Sequence, residues 1–132
     1  MKRVMRAKLY VGAVLVTAVA GMVPAAAAYA SDPSGCSAST TSFGASNTGV
    51  MTAKGSGTCS GSATRTLRVE IKHNLTVRPD SLVAAQEDNH TGKSFAATVS
   101  SCDHGNSAEY YGRTFFRGGD YHDSSHKHID TC

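Results

Sequence analysis

KSFAATVSSCDHGNSAEYYGRTFFR, residues 93–117, is the stretch whose reading decides the fold. Phe95, Ala97 and Val99 alternate with Ser94, Thr98 and Ser100, which predicts a half-buried β-strand. Asp103, His104, Gly105 and Asn106 make a polar connection. A second strand follows, with Ala108, Tyr110, Gly112, Thr114 and Phe116 on one face and Glu109, Tyr111, Arg113, Phe115 and Arg117 on the other. The charges select the odd-numbered face for solvent, so Tyr110 and Phe116 are expected in the core. The stretch holds five of the seven aromatic residues that follow position 30.

Upstream, TLRVEIKH at 66–73 places Leu67, Val69 and Ile71 on one face and Arg68, Glu70 and Lys72 on the other. That alternation suits an antiparallel sheet with one wet face. Residues 50–54 predict a short first strand, and Gly55, Gly57 and Gly61 predict turns around Cys59. Residues 81–87 are ambiguous between helix and strand, with strand preferred. Residues 87–93 read as a polar loop. Downstream, the tail YHDSSHKHIDTC at 121–132 predicts a last short strand or strap near 127–131.

The first thirty residues read as a signal peptide. Lys2, Arg3, Arg6 and Lys8 precede an uncharged, mostly apolar run, and Ala28 and Ala30 supply the small residues of a cleavage site. An uncleaved anchor is the alternative. The whole chain carries 13 Lys and Arg against 10 Asp and Glu. Four of the basic residues lie in the signal, so the remainder has nine against ten, a net −1. Nucleic acid is therefore not a default partner, nor is an anionic membrane surface. Residues 31–47, rich in Ser, Gly, Thr and Ala, read as a flexible lead-in to a domain at 48–132.

Cys36, Cys59, Cys102 and Cys132 all follow the signal, and their number is even. In an exported chain they are expected as two disulfides. Three connectivities are open, and pairing by order, Cys36–Cys59 and Cys102–Cys132, is favoured. The absence of a C-x-x-C spacing disfavours a redox dithiol or a zinc ribbon. Short strands, frequent turn signals and about 100 residues argue for an all-β fold, a small single-domain antiparallel β-sandwich, with an immunoglobulin-like topology as one option.

TLRVEIKH, Cys102, YYGRTFF and the C-terminal cysteine together make the chain similar to small exported β-sandwich proteins of high-GC Gram-positive bacteria. Those are mostly single domains without an assigned activity, so the resemblance implies secretion and transfers no functional residue. The ending Ile129-Asp130-Thr131-Cys132 also resembles that of secreted bacterial guanyl-specific ribonucleases.

Three groups of residues are candidates for function. Tyr111, Arg113, Phe115 and Arg117 set aromatic and cationic side chains side by side, a pattern suited to a binding surface for a protein or a carbohydrate. The alternative is that the C-terminal strap covers Tyr111 and Phe115. His122, His126 and His128 fall within seven residues, and three imidazoles suit zinc or copper. An extended tail would put them on one face. Glu109, Arg113, Arg117 and a histidine are the residue types of a small ribonuclease. No G-x-S-x-G supports a serine hydrolase. The favoured reading is a secreted, monomeric, disulfide-stapled module without cofactor, binding an extracellular protein or carbohydrate. A small hydrolase and a metal-binding protein are the alternatives.

Overall fold

The inward half of the alternation at 66–73 is realised as expected, with Leu67, Val69 and Ile71 fully buried, whereas Glu70, expected in water, is buried too. They belong, however, to a much longer strand. The computed structural model describes residues 31–132; the expected signal peptide at 1–30 lies outside the described residues. Six strands follow in order: β1 (Cys36–Ala45), β2 (Met51–His73), β3 (Ser81–Ser101), β4 (Ser107–Phe116), β5 (His122–Asp123) and β6 (Lys127–Asp130). All pairings are antiparallel, and no helix occurs among the described residues.

β2 and β3 form a hairpin paired from Met51–Ser101 to His73–Ser81. The ladder is interrupted near its middle, where Cys59, Ser60, Gly61 and Ser62 stand opposite Lys93 alone, and it shifts by one residue at Val83 near the hairpin end. Surplus residues on one strand bend it and increase its twist. Beyond the bend the hairpin's two halves face each other. Along the β2 edge opposite β3, β1 pairs with the first half and β4 with the second. β5 and β6 line the outer edge of β4.

The all-β antiparallel class is therefore as expected, while the layering differs from an immunoglobulin-like pair of sheets. One continuous sheet curls so that its own halves pack together. The core joins Phe43, Met51, Ala53 and Val99 from one half to Val69, Ile71, Tyr110 and Ile129 from the other. A second cluster, nearer the bend, holds Ala38, Leu67, Phe95 and Phe116. Phe95 meets Phe116 edge to face, a favoured aromatic geometry, with ring centroids 5.4 Å apart.

Gly55 and Gly57 do not make the expected turn. They lie inside β2, where the two halves come closest. A Cβ on Gly57 would sit 2.5 Å from Phe116 Cζ, and one on Gly55 would sit 2.8 Å from Val69 Cγ2. The missing side chains allow the layers to approach, which is a different use of glycine from a turn. The same continuity corrects residues 87–93. They are strand, not loop, and the polar pairs Thr64–Thr91 and Asn89–Thr66 cross the ladder there.

The flexible lead-in at 31–47 is corrected as well. Its Ser- and Thr-rich sequence forms β1, because Ala38 and Phe43 point inward while Cys36 is bonded to its cross-strand partner Cys59. Both disulfides pair in order, Cys36–Cys59 and Cys102–Cys132. β3 ends at Ser101, so Cys102 lies just past the strand. The connection to β4 turns through His104 and Gly105, both at positive φ (54° and 74°). The last short strand expected near 127–131 is β6.

Candidate functional site

β4 positions the side chains that the sequence singles out. Its even face is core as expected, with Tyr110, Thr114 and Phe116 buried. Its odd face departs from expectation at one place. Tyr111 is only 1% exposed, so it is not part of an exposed binding surface. Three neighbours cover it. His126 stacks on its ring with centroids 4.6 Å apart. The Arg113 guanidinium lies 5.4 Å from the ring centroid. Its hydroxyl donates to Asp80 Oδ2 at 2.6 Å, in the loop before β3.

Arg113 is itself held. Its Nε and Nη2 donate to the two oxygens of Asp123 at 2.7 and 2.9 Å, the bidentate geometry in which guanidinium and carboxylate bind most strongly. Asp123 stands directly across from it on β5. Phe115 is half-buried, with the Tyr121 ring edge-on at 4.9 Å. Tyr121 is 60% exposed and carries the Arg113 guanidinium 4.1 Å from its centroid. Arg117, 61% exposed at its side chain, donates to Glu87 at 2.6 and 3.0 Å. Arg68 reaches the same Glu87 oxygen at 3.2 Å. Arg68, Phe115, Arg117 and Gly118 line a shallow concavity of about 280 Å³.

The outer face thus joins three arginines, Arg68, Arg113 and Arg117, to three carboxylates, Glu70, Glu87 and Asp123. It is charge-balanced, and beside Arg113 and Arg117 its accessible aromatic matter is the half-buried Phe115 and the exposed Tyr121; Leu82, 49% exposed, lies on the same face across from Lys72. Tyr121, in the tail, is the member that the sequence pattern did not single out. A tyrosine beside two glycines and an aspartate gives no periodic signal.

The three histidines do not converge. Cross-strand partners share a face, and His122 pairs with Thr114 whereas His128 pairs with Glu109. Thr114 lies on the inner face of β4 and Glu109 on the outer. Five residues of strand also separate them, roughly 17 Å. Each imidazole has its own acidic neighbour: His122 Nε2 meets Asp32 at 3.0 Å and His126 Nδ1 meets Glu109 at 3.1 Å. His128 Nε2 lies 3.7 Å from Asp130. Among the described residues no group of three or more His, Cys, Asp or Glu side chains is arranged around a metal position. The expected zinc or copper set is corrected accordingly.

The ribonuclease-like set is separated by the same geometry. Glu109 and Arg117 lie eight residues apart on one extended strand, roughly 27 Å. They do not reach one phosphate together, and Arg113 between them is occupied by Asp123. A different grouping does come together. Ser107 Oγ lies 3.0 Å from His128 Nε2 and also bonds Asp130. This is not a nucleophile relay. Both contacts of His128 fall on one ring nitrogen, and Ser107 gives its proton to Asp130. In a working triad the acid orients the other nitrogen. The histidine and aspartate side chains are also 67% and 85% exposed.

Two buried tyrosines shape the pH response. Tyr110 donates to Asp103 Oδ2 and Tyr111 to Asp80 Oδ2. Burial, reinforced by the carboxylate, pushes both phenols upward. The same bonds hold both aspartates below the usual carboxylate range, the tyrosine hydroxyl being the largest cause in each. A carboxyl group with a depressed folded pKa takes its proton first in the unfolded chain. Its stabilisation is complete above the unfolded pKa of about 3.9 and is lost as pH falls through the folded value. The urea midpoint is expected to hold between pH 7 and pH 5 and to drop below pH 4. An Asp80→Asn, Asp103→Asn variant should be less stable at pH 7 and show a shallower acid limb.

No protein-family model, curated protein or solved structure matches the chain.

Proposed function

We propose that the chain is an exported, disulfide-stapled binding module, not a catalyst, whose contact surface is the outer face of β4 around Phe115, Tyr121 and Arg117. One observation carries this reading. Two aromatic rings and an exposed guanidinium are presented together beside a shallow concavity. Elsewhere on the sheet, the groups that would do acid–base work are tied to structural partners. Rigid aromatics flanked by arginine are the residues that most often carry binding energy at recognition surfaces. The charge balance of the face favours an uncharged or mixed-charge partner over a polyanion, which points to an extracellular carbohydrate or protein. Two disulfides suit an oxidising compartment, and no helix among the described residues is long and apolar enough to cross a membrane.

The test is retention of the purified 31–132 chain on insoluble extracellular polysaccharides and on immobilised secreted proteins. A Phe115→Ala, Tyr121→Ala variant should lose at least tenfold in affinity for whatever retains the wild type. Equal retention of the two would remove this surface from the account. Cleavage of RNA by the wild type, abolished by Glu109→Ala, would instead support the hydrolase reading.

A further inference from the structure

Antiparallel sheets leave backbone donors and acceptors unpaired at their edges, and proteins usually protect them with short strands, bulges, charges or covering segments. Most edges of this sheet are treated in that way. β1 carries a register break between Thr40 and Ser42. Lys127 Nζ donates to the Phe43 carbonyl, and Thr40 Oγ1 donates to the His122 carbonyl. The outer edge of β4 is occupied by β5 and β6. β1 and β3 each pair with β2 alone among the described residues, but the free edge of β3 has no comparable break or strap along its second arm.

The second arm of β3, SFAATVSS at 94–101, is the least protected stretch of edge. It contains no charge and no proline. Its register against Met51–Thr58 runs without a shift. Its one protected donor is Ala96 N–H, which bonds Asp88 Oδ2 at 2.9 Å and not β2. Ala96 therefore points its backbone outward, and strand alternation makes Thr98 and Ser100 do the same. Phe95, Ala97 and Val99 face the core side.

We propose that residues 94–101 form a strand-addition site for a second copy of this chain, and that Asp88 is the plug that restrains it. The sequence complements itself when two arms run antiparallel about Ala97. Phe95 then stands opposite Val99 of the second copy and Ala97 opposite Ala97, all on the core side. Ser94 meets Ser100, and Ala96 meets Thr98, on the wet side. An aromatic beside a β-branched residue is a favourable cross-strand pair, and no like charges meet. Ala96 and Thr98 exchange the central hydrogen bonds, so Asp88 must release Ala96 N–H for the pair to close. The contact is two-fold symmetric and uses one patch twice, so it ends at a dimer. This replaces the monomer expected from sequence. It is independent of the Phe115–Tyr121 surface.

Sedimentation equilibrium of the 31–132 chain across a wide concentration range tests the proposal. Asp88→Ala should tighten self-association at least tenfold over the wild type. Adding Thr98→Pro should abolish it, because Thr98 directs its N–H away from β2 and its loss leaves the hairpin ladder intact. Thr98→Lys gives a second block should the proline disturb folding, and thermal unfolding of each variant confirms the native state. Self-association equal in wild type and Asp88→Ala would overturn the plug. Dimers that survive both Thr98 substitutions, or an Asp88→Ala chain that stays monomeric throughout, would overturn the site.

Discussion

Phe116→Ala is expected to lower the unfolding free energy by about 3–5 kcal/mol, the range for truncating a fully buried large aromatic. Phe116 is 1% exposed. It packs against Leu67 and Phe95, and its ring closes the space that Gly57 leaves open. Collapse around the cavity is hindered because both flanking layers are held by hydrogen-bonded ladders. Phe115→Ala should cost much less, since its half-buried ring rests on Tyr121 at the surface. Urea unfolding of the two variants measures the difference. The reverse ranking would mean that the inner and outer faces of β4 had been exchanged.

Cys102→Ser, Cys132→Ser is expected to cost about 3–4 kcal/mol on the loop-closure model, the bridge spanning 30 residues. It also has a local consequence. The tail from Tyr121 onward brings Asp123 to Arg113, His126 to Tyr111 and Ile129 to the core. Beyond the bridge it is held to β4 by two short ladders and a few loop bonds. Hydrogen exchange should therefore accelerate first in β5 and β6. Cys36–Cys59 closes a shorter span between strands already paired along β1 and β2. Its removal should leave exchange in β5 and β6 unchanged. Urea midpoints and exchange rates of the two double variants check both statements.

Much of the fold is legible in the sequence wherever side chains alternate strictly. Leu67, Val69 and Ile71, and Tyr110 with Phe116, reveal their faces because core and solvent lie on opposite sides of one strand. The pairing of the cysteines by order is also recovered. What periodicity hides is long-range continuity. Gly55 and Gly57 look like turn residues because local propensity has no access to Val69 and Phe116, which approach them across the core. The polar run at 87–93 looks like a loop because its partners, Thr64, Thr66 and Arg68, lie on another strand. At the site, the aromatic and arginine content of β4 is visible, but its cover is not. Tyr111 is buried by His126 and Asp80, one in the tail and one in a loop, and neither belongs to the pattern of its strand.

The orientation of the outer face depends on one sheet having curled so that the first half of β2 lies over β4. The nuclear Overhauser spectrum of the 31–132 chain tests that directly. Phe116 ring protons should show strong contacts to Gly57 Hα and to the Phe95 ring, and the Gly57 amide should exchange slowly. A rapidly exchanging Gly57 without contact to Phe116 would contradict it, placing the glycines in a turn and the two halves of β2 in separate strands.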